Sequence, residues 1–163
     1  MAITGTTTTF PSKKRGDFVN KFDLRKNERV VYIEPTLTTP LNFDYAIPVT
    51  ITGEANKYVN LKEIVIKAAA NTALTSILGF IKIADRDPSL FFKAGEPVTI
   101  FAGAEAYNQF YALIKAGDTI VAGDLLEFVP ADNTYAKVTT GVGCVKALEA
   151  GAGGDIIAVQ PLV

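Results

Sequence analysis

The chain has 163 residues, of which 48% are apolar and 20% are charged, with a formal net charge of −1. This length suits one domain, or one domain with an arm, and the near-neutral balance provides no overall basic field for nucleic acid or an anionic membrane. Histidine is absent and Cys144 is the single cysteine. These absences exclude histidine-activated nucleophiles, most catalytic zinc sites and an intramolecular disulfide.

Residues 1–29 are predicted to form an extended arm. Five of the first nine residues are threonine, and residues 10–29 mix charges with isolated aromatics, without a sustained helical or strand period. Residues 1–30 carry seven basic and three acidic groups, a net charge of +4, whereas the remainder carries nine and fourteen, a net charge of −5. We therefore expect a basic arm on an acidic body, residues 30–163, with the arm ordered against either a partner chain or its own body.

From Val30 onward, short β-type runs alternate with turn residues, which is typical of a small β-barrel or a β-sandwich. One helical turn is expected at 103–108, and no long helix is predicted. The predicted strands are Val30–Ile33, Val49–Thr52, Ile64–Lys67, the second half of Thr75–Ala84, Pro97–Phe101, Gln109–Ile114, Thr119–Val121, Leu125–Val129, Tyr135–Val138, Val142–Leu148 and Ile156–Leu162.

A short Ala-Gly-acid element recurs before several of these strands. It occurs at 94–96, 116–118 and 122–124, and in a looser form at 151–155. Glycine permits a corner with positive φ and the acidic side chain caps the turn. Single carboxylates spread over several turns do not build an oxygen cage for a metal, so we interpret the element as a turn signal.

The candidates for chemistry are sparse. The G-x-G at Gly141 and Gly143 precedes an apolar run instead of a helix, which indicates a turn and not a phosphate loop. Cys144 lies in a run typical of a buried strand, so a core thiol is expected. Two carboxylate pairs, Asp85/Asp87 and Asp124/Glu127, meet the minimum for glycoside chemistry, with Tyr107, Phe110 and Tyr111 as possible sugar platforms. The same aromatics also fit a strand packed on a core or a neighbouring subunit.

No stretch approaches 18 consecutive apolar residues, and residues 1–18 lack the apolar segment of a secretory signal. We therefore expect synthesis in a reducing cytoplasm, no membrane partner, no cofactor and no tightly bound metal.

The C-terminal third carries a family resemblance. Residues 113–163 contain Gly123-Asp124-Leu125-Leu126, then Val142-Gly143-Cys144-Val145-Lys146-Ala147-Leu148, then Gly154-Asp155, and finally Val159-Gln160-Pro161-Leu162. This succession of strands and turns resembles the capsid cement, or head decoration, proteins of tailed bacteriophages. The resemblance covers about a third of the chain and consists of turn-and-strand motifs, without a catalytic signature to carry over.

The resemblance implies a small β-barrel or β-tulip body, usually trimeric, on the outside of a phage head. It implies a non-enzymatic virion protein that binds the major capsid protein and itself, and binds neither nucleic acid nor membrane. We expect arm residues to contact the capsid and exposed apolar runs to mediate self-association. The capsid-contact candidates are Phe10, Lys13, Lys14, Arg15, Phe18 and Phe22, and the self-association candidates are Phe91, Phe92, Phe110 and Tyr111.

Two other classes of function stay open at this point. One is a non-catalytic β-sandwich that recognises carbohydrate or a host surface, and the other is an enzyme that uses only carboxylates.

Overall fold

The computed structural model describes residues 13, 15–19, 27–36, 46–52, 58–59, 62–82 and 93–163. These residues are almost entirely β, which confirms the predicted all-β class. Short 3-10 turns lie at Leu74–Ser76 and Ala106–Asn108. The strands are β1 (Glu28–Ile33), β2 (Pro48–Ile51), β3 (Tyr58–Val59), β4 (Lys62–Lys67), β5 (Ile77–Ile81), β6 (Pro97–Phe101), β7 (Phe110–Leu113), β8 (Thr119–Ile120), β9 (Leu125–Val129), β10 (Thr134–Lys137), β11 (Val145–Ala147), β12 (Gly151–Ala152) and β13 (Ile156–Pro161).

Five strands close on themselves to form what we call the first barrel. Their order is β1-β6-β5-β2-β4, and a parallel pairing of β1 with β4, in which Tyr32 lies opposite Ile64, joins the two ends. The two-residue strand β3 extends from β4. Side chains that point inward, such as Val31 and Ile33, are fully buried. Val30, which comes just before Val31 in the strand, is exposed. Closure satisfies the backbone groups that an open sheet leaves at its edges.

A second sheet has the order β10-β9-β11-β13-β7. Its two edge strands approach each other at a parallel bridge between Ile114 and Tyr135. β8 and β12 form a separate two-stranded sheet that joins the turns around residues 118 and 153. The stretch that carries the family resemblance therefore supplies most of the second sheet.

One hydrophobic core serves both sheets. A chain of aromatic contacts runs from Phe80 and Phe101 in the first barrel, through Phe110, to Tyr135 and Phe128 in the second sheet, with ring centroids 5.4–6.0 Å apart. Tyr135 also crosses between the sheets by polar contact, because its hydroxyl donates a hydrogen bond to the Ala46 carbonyl oxygen at 3.0 Å.

The strand predictions agree closely with the structure. Pro97–Phe101 and Leu125–Val129 have the predicted bounds, and most of the other predicted strands differ by one or two residues. Val142–Leu148 is shortened to Val145–Ala147, because residues 141–144 form a loop beside β9. The strands β3 and β12 were not predicted, since each is only two residues long.

The Ala-Gly-acid elements are turns, as predicted. Glu96, Asp124 and Asp155 each accept a hydrogen bond from the backbone N–H three residues earlier, at 2.8–3.0 Å. The glycine before each acid has a positive φ of 75–97°. In the element at 116–118, Asp118 instead accepts the N–H of Lys137, which ties the turn to β10. Across the ranges given above, no helix has the length and apolar character needed to cross a membrane.

Candidate functional site

A piece of the predicted arm pairs with strand β7 of its own chain. The Gly16 N–H donates to the Tyr111 carbonyl oxygen at 2.7 Å. The Tyr111 N–H donates to the Asp17 carbonyl oxygen, and the Val19 N–H donates to the Gln109 carbonyl oxygen, both at 2.9 Å. Phe18 lies opposite Phe110 in an antiparallel bridge. Residues 15–19, which we call the arm strand, therefore extend the second sheet on the side of β7 that faces away from β13.

Side chains of the arm strand and of Lys13 secure this position. The Phe18 ring meets the Phe101 ring edge-on, with centroids 4.8 Å apart. Arg15 Nη2 donates to the Asn133 carbonyl oxygen at 2.8 Å, and Lys13 Nζ forms an ion pair with Glu149 and lies 5.6 Å from the Tyr111 ring centroid. The hydrogen bond from Lys13 is the main reason that the pKa of Glu149 is lowered.

Three predicted capsid-contact residues, Lys13, Arg15 and Phe18, thus lie together on the second sheet. The arm was expected to order against either a partner chain or its own body, and these three residues pack against the body. Their contact with a capsid stays a prediction. The other candidates lie outside the described residues: Phe10, Lys14, Phe22, Phe91 and Phe92.

The expectation that Phe110 is exposed is wrong. Its side chain is 0% exposed and contacts the rings of Phe80, Phe101 and Tyr135. The reason is strand alternation, which turns Phe110 and Ala112 into the core and leaves Tyr111 half-buried. Tyr111 remains a candidate for self-association.

The exposed apolar residues of the second sheet lie elsewhere. Val121, Leu125 and Leu148 are 55%, 48% and 38% exposed. Their backbones lie near the turn before β9. The Asp124 N–H donates to the Val121 carbonyl oxygen, the Gly123 N–H donates to the Ala147 carbonyl oxygen, and Leu125 lies opposite Lys146. We call these three residues the apolar patch. In the sequence, only the consecutive leucines 125 and 126 indicated this patch. Adjacent residues of a strand face opposite sides of the sheet, so one leucine of the pair points away from the core.

In the carboxylate pair Asp124/Glu127, the electrostatics of Asp124 do not suit a general acid. Asp124 accepts the Val121 N–H and pairs with Lys137 Nζ at 2.9 Å, and these contacts lower its pKa. A general acid at neutral pH needs a raised pKa instead. Asp85 and Asp87 lie outside the described residues. In the part of the chain that the structure describes, no group of three or more Asp, Glu or Cys side chains is placed to hold a metal ion.

Cys144 is a buried thiol, as the strand pattern predicts. It is 1% exposed, and burial raises its pKa to about 12. A nucleophilic cysteine needs a lowered pKa, so this environment favours a structural role.

A small cleft, with room for little more than one water molecule, lies beside Cys144 where the two sheets meet. Its apolar lining comes from both sheets and from the segment between β4 and β5. The apolar lining residues are Pro48, Ala68, Ala69, Ile77, Phe128, Val142 and Cys144. Asn71 and Thr72 add polar groups to the lining, and the Thr72 hydroxyl donates to the Ala69 carbonyl oxygen at 2.8 Å.

No protein-family model and no curated protein matches the chain. Among solved structures, the chain is similar to the N base of head fiber gp8.5 from bacteriophage phi29. The TM-score is 0.44 at 16% sequence identity, over 82% of this chain and 92% of that chain.

Proposed function

We propose that this chain is a non-enzymatic structural protein of a phage virion. It binds the outside of the assembled head, where it cements neighbouring major capsid subunits, and it acts as a homotrimer without a cofactor. It is made in the host cytoplasm, and neither nucleic acid nor membrane is a partner.

The observation that carries the proposal is the fold of residues 113–163. This segment resembles capsid cement proteins in sequence, and most of its motifs fold as turns that lead into strands. Gly123-Asp124 forms the turn before β9, Gly154-Asp155 forms the turn before β13, and Val145–Ala147 of the Val142–Leu148 motif forms β11. Turn and strand motifs that fold as a unit support a shared architecture better than isolated matches do.

The chemistry of the described residues is consistent with a binding role. Burial raises the pKa of the Cys144 thiol, which does not suit a nucleophile, and the Asp124 carboxylate is engaged by the Val121 N–H and by Lys137. A cement protein needs only many weak contacts on a repeating lattice, because linked contacts gain strength from effective concentration.

The test is cosedimentation of the purified protein with expanded phage shells that lack it, followed by cryo-electron microscopy. We expect saturable binding, density on the outer surface between capsid subunits, and shells that resist a higher temperature, because binding only the assembled shell stabilises it. Binding to a polysaccharide array with none to shells would overturn the proposal in favour of a carbohydrate-recognition module.

A further inference from the structure

The site that holds the arm strand is built by residues far along the chain from the arm. The body residues that the arm strand and Lys13 contact include Phe101, Gln109, Tyr111, Asn133 and Glu149. These residues belong to β6 and to the segments that follow it. The body of a second copy presents the same residues, so the pairing does not require that arm and body belong to one chain.

A bulge at a glycine fits the arm strand to the edge of β7. The Gly16 N–H donates to the Tyr111 carbonyl oxygen, while the Tyr111 N–H donates to the Asp17 carbonyl oxygen, so two arm residues lie opposite one residue of β7. Gly16 has a φ of 78°, the left-handed conformation that this type of bulge takes at glycine. Backbone pairing with one aromatic anchor, here Phe18, is a common way for an extended segment to join a sheet edge. The edge of β7 is therefore an acceptor for this segment.

The connection between the arm strand and the body is long enough to reach a second copy. Residues 20–26 lead from the arm strand to Asn27, whose carbonyl oxygen accepts the Ala102 N–H at 3.3 Å. Seven residues span up to about 25 Å when they are fully extended. A compact chain of this length has a radius of gyration of about 15 Å. The arm strand can therefore extend from one body to the β7 edge of a body that touches it.

The β7 edge also lies beside the apolar patch, which is exposed and free to meet another subunit. The N–H of Leu148, a patch residue, donates to the Ala158 carbonyl oxygen, and Ala158 lies opposite Tyr111 of β7. Lys13 pairs with Glu149, the residue after Leu148. A subunit that packs on the apolar patch is therefore close to the acceptor edge.

The distribution of charge favours contact between the arm of one copy and the body of another. Residues 1–30 carry a net charge of +4 and the remainder carries −5. This attraction acts between chains as well as within one chain. In an assembled trimer the neighbouring body is held at a high effective concentration, so its acceptor edge competes with the edge of the arm's own chain.

We propose that the subunits of the homotrimer exchange their arm strands, so that residues 15–19 of each subunit pair with β7 of the next. Exchange around a closed ring fills every acceptor edge. The contacts of Phe18 and the ion pair of Lys13 with Glu149 then link two subunits. A subunit that leaves must give up two arm pairings, which slows dissociation of the trimer. This inference rests on the proposed function, because it requires the homotrimer.

Disulfide trapping distinguishes exchanged arms from arms that fold back on their own chain. Val19 lies opposite Gln109, and opposed residues of paired strands have the Cα separation that a disulfide requires. The Val19→Cys/Gln109→Cys protein is oxidised as the trimer, in solution or on shells, and run on a non-reducing denaturing gel. We expect covalent trimers. Chains linked only internally would overturn the exchange, and so would the absence of any disulfide, because the arm strand would then not lie on β7.

A mixture of the two single variants removes the possibility of a link within one chain. Val19→Cys chains and Gln109→Cys chains are mixed in urea, refolded by dilution and oxidised. We expect covalent dimers in the mixture and none in either variant alone, because only an exchanged arm brings the two introduced thiols together. The wild-type protein, in which Cys144 is 1% exposed, controls for unspecific links. Equal cross-linking in the mixture and in the separate variants would overturn the exchange.

The two proposals fail separately. If light scattering finds no trimer in solution or on shells, the exchange is overturned together with the homotrimer. If the trimer forms and the double variant links only within chains, the trimer stands and the exchange is overturned. If the trimer cross-links as expected and does not bind shells, the exchange stands and the cementing function is overturned.

Discussion

At the scale of single residues, Tyr135 packs its ring within the second sheet and reaches the segment before β2 with its hydroxyl. Its ring contacts Phe110 and Phe128, and its hydroxyl donates to the carbonyl oxygen of Ala46, which is fully buried. A buried carbonyl without a donor loses the hydrogen bond that water would give it in the unfolded chain. The hydroxyl therefore contributes to stability and also specifies how the segment before β2 sits on the second sheet.

Tyr135→Phe should lower the free energy of unfolding by about 1–2 kcal/mol, because it leaves the Ala46 carbonyl unpaired while keeping the ring. Urea denaturation followed by circular dichroism measures the change. Tyr111→Phe is the matched control: its ring is half-buried and it should change stability by less than about 0.5 kcal/mol. Equal effects of the two variants would show that the Tyr135 hydroxyl bond is not formed in solution.

Cys144 gives stability a dependence on alkaline pH. The thiol titrates near 9.0 in the unfolded chain and at about 12 in the folded protein. Between these values the unfolded state has lost a proton that the folded state keeps, so stability falls as pH rises above 9, by up to about 1.4 kcal/mol per pH unit. Burial also raises the pKa of Tyr135, which adds to the fall at higher pH.

The pH dependence is measured by urea unfolding between pH 8 and pH 10.5. Cys144→Ala should have a shallower dependence than the wild-type protein, whatever its stability at pH 8. A thiol reagent at pH 8 should label Cys144 only when the protein is unfolded. Rapid labelling of the folded protein would contradict the burial of this thiol.

At the scale of elements, the arm strand links the N-terminal segment to the body. Its backbone hydrogen bonds run to Gln109 and Tyr111, at the start of β7. Arg15 and Lys67 both donate to Asn133 in the turn between β9 and β10, so the arm and the first barrel hold the same turn. Residues 15–19 therefore act as part of the sheet.

Phe18→Ala should lower the free energy of unfolding by about 2 kcal/mol, because the partly buried ring loses its contact with Phe101. Lys13→Ala should have little effect, about 0.5 kcal/mol or less, because its ion pair with Glu149 is exposed. Both changes are read from denaturation curves at one salt concentration. If Lys13→Ala costs as much as Phe18→Ala, charge and not packing holds the arm strand in place.

The positions of the strands and turns could be predicted well from the sequence, but the contacts between distant strands could not. Alternating apolar residues and Gly-acid turns are local signals, so Pro97–Phe101 and the turn at 122–124 were found from them. The inward face of Phe110 depends on register between distant strands, which one sequence does not encode locally. The self-packing of Phe18 was left open for the same reason.

At the scale of the whole molecule, the exposed surface of the second sheet carries an apolar patch that the core does not use. Val121, Leu125 and Leu148 lie together near the exposed cation of Lys146. Clustered exposed apolar side chains are more often interaction surfaces than scattered ones are. In the proposed trimer this patch is buried between subunits, because closed cyclic symmetry covers the same surface on every subunit and leaves no open edge.

We therefore expect light scattering of the protein at high concentration, or bound to shells, to give a mass near three times 17.4 kDa. Leu125→Asp should reduce the mass to that of one chain, because a charge on the patch must be desolvated for the subunits to meet. The strand itself should stay folded, since Leu125 is already about half exposed. Thr119→Asp is the control, an exposed position on β8 outside the patch, and it should leave the trimer intact. A trimer that tolerates Leu125→Asp would place the self-association surface elsewhere, with Tyr111 as the next position to substitute.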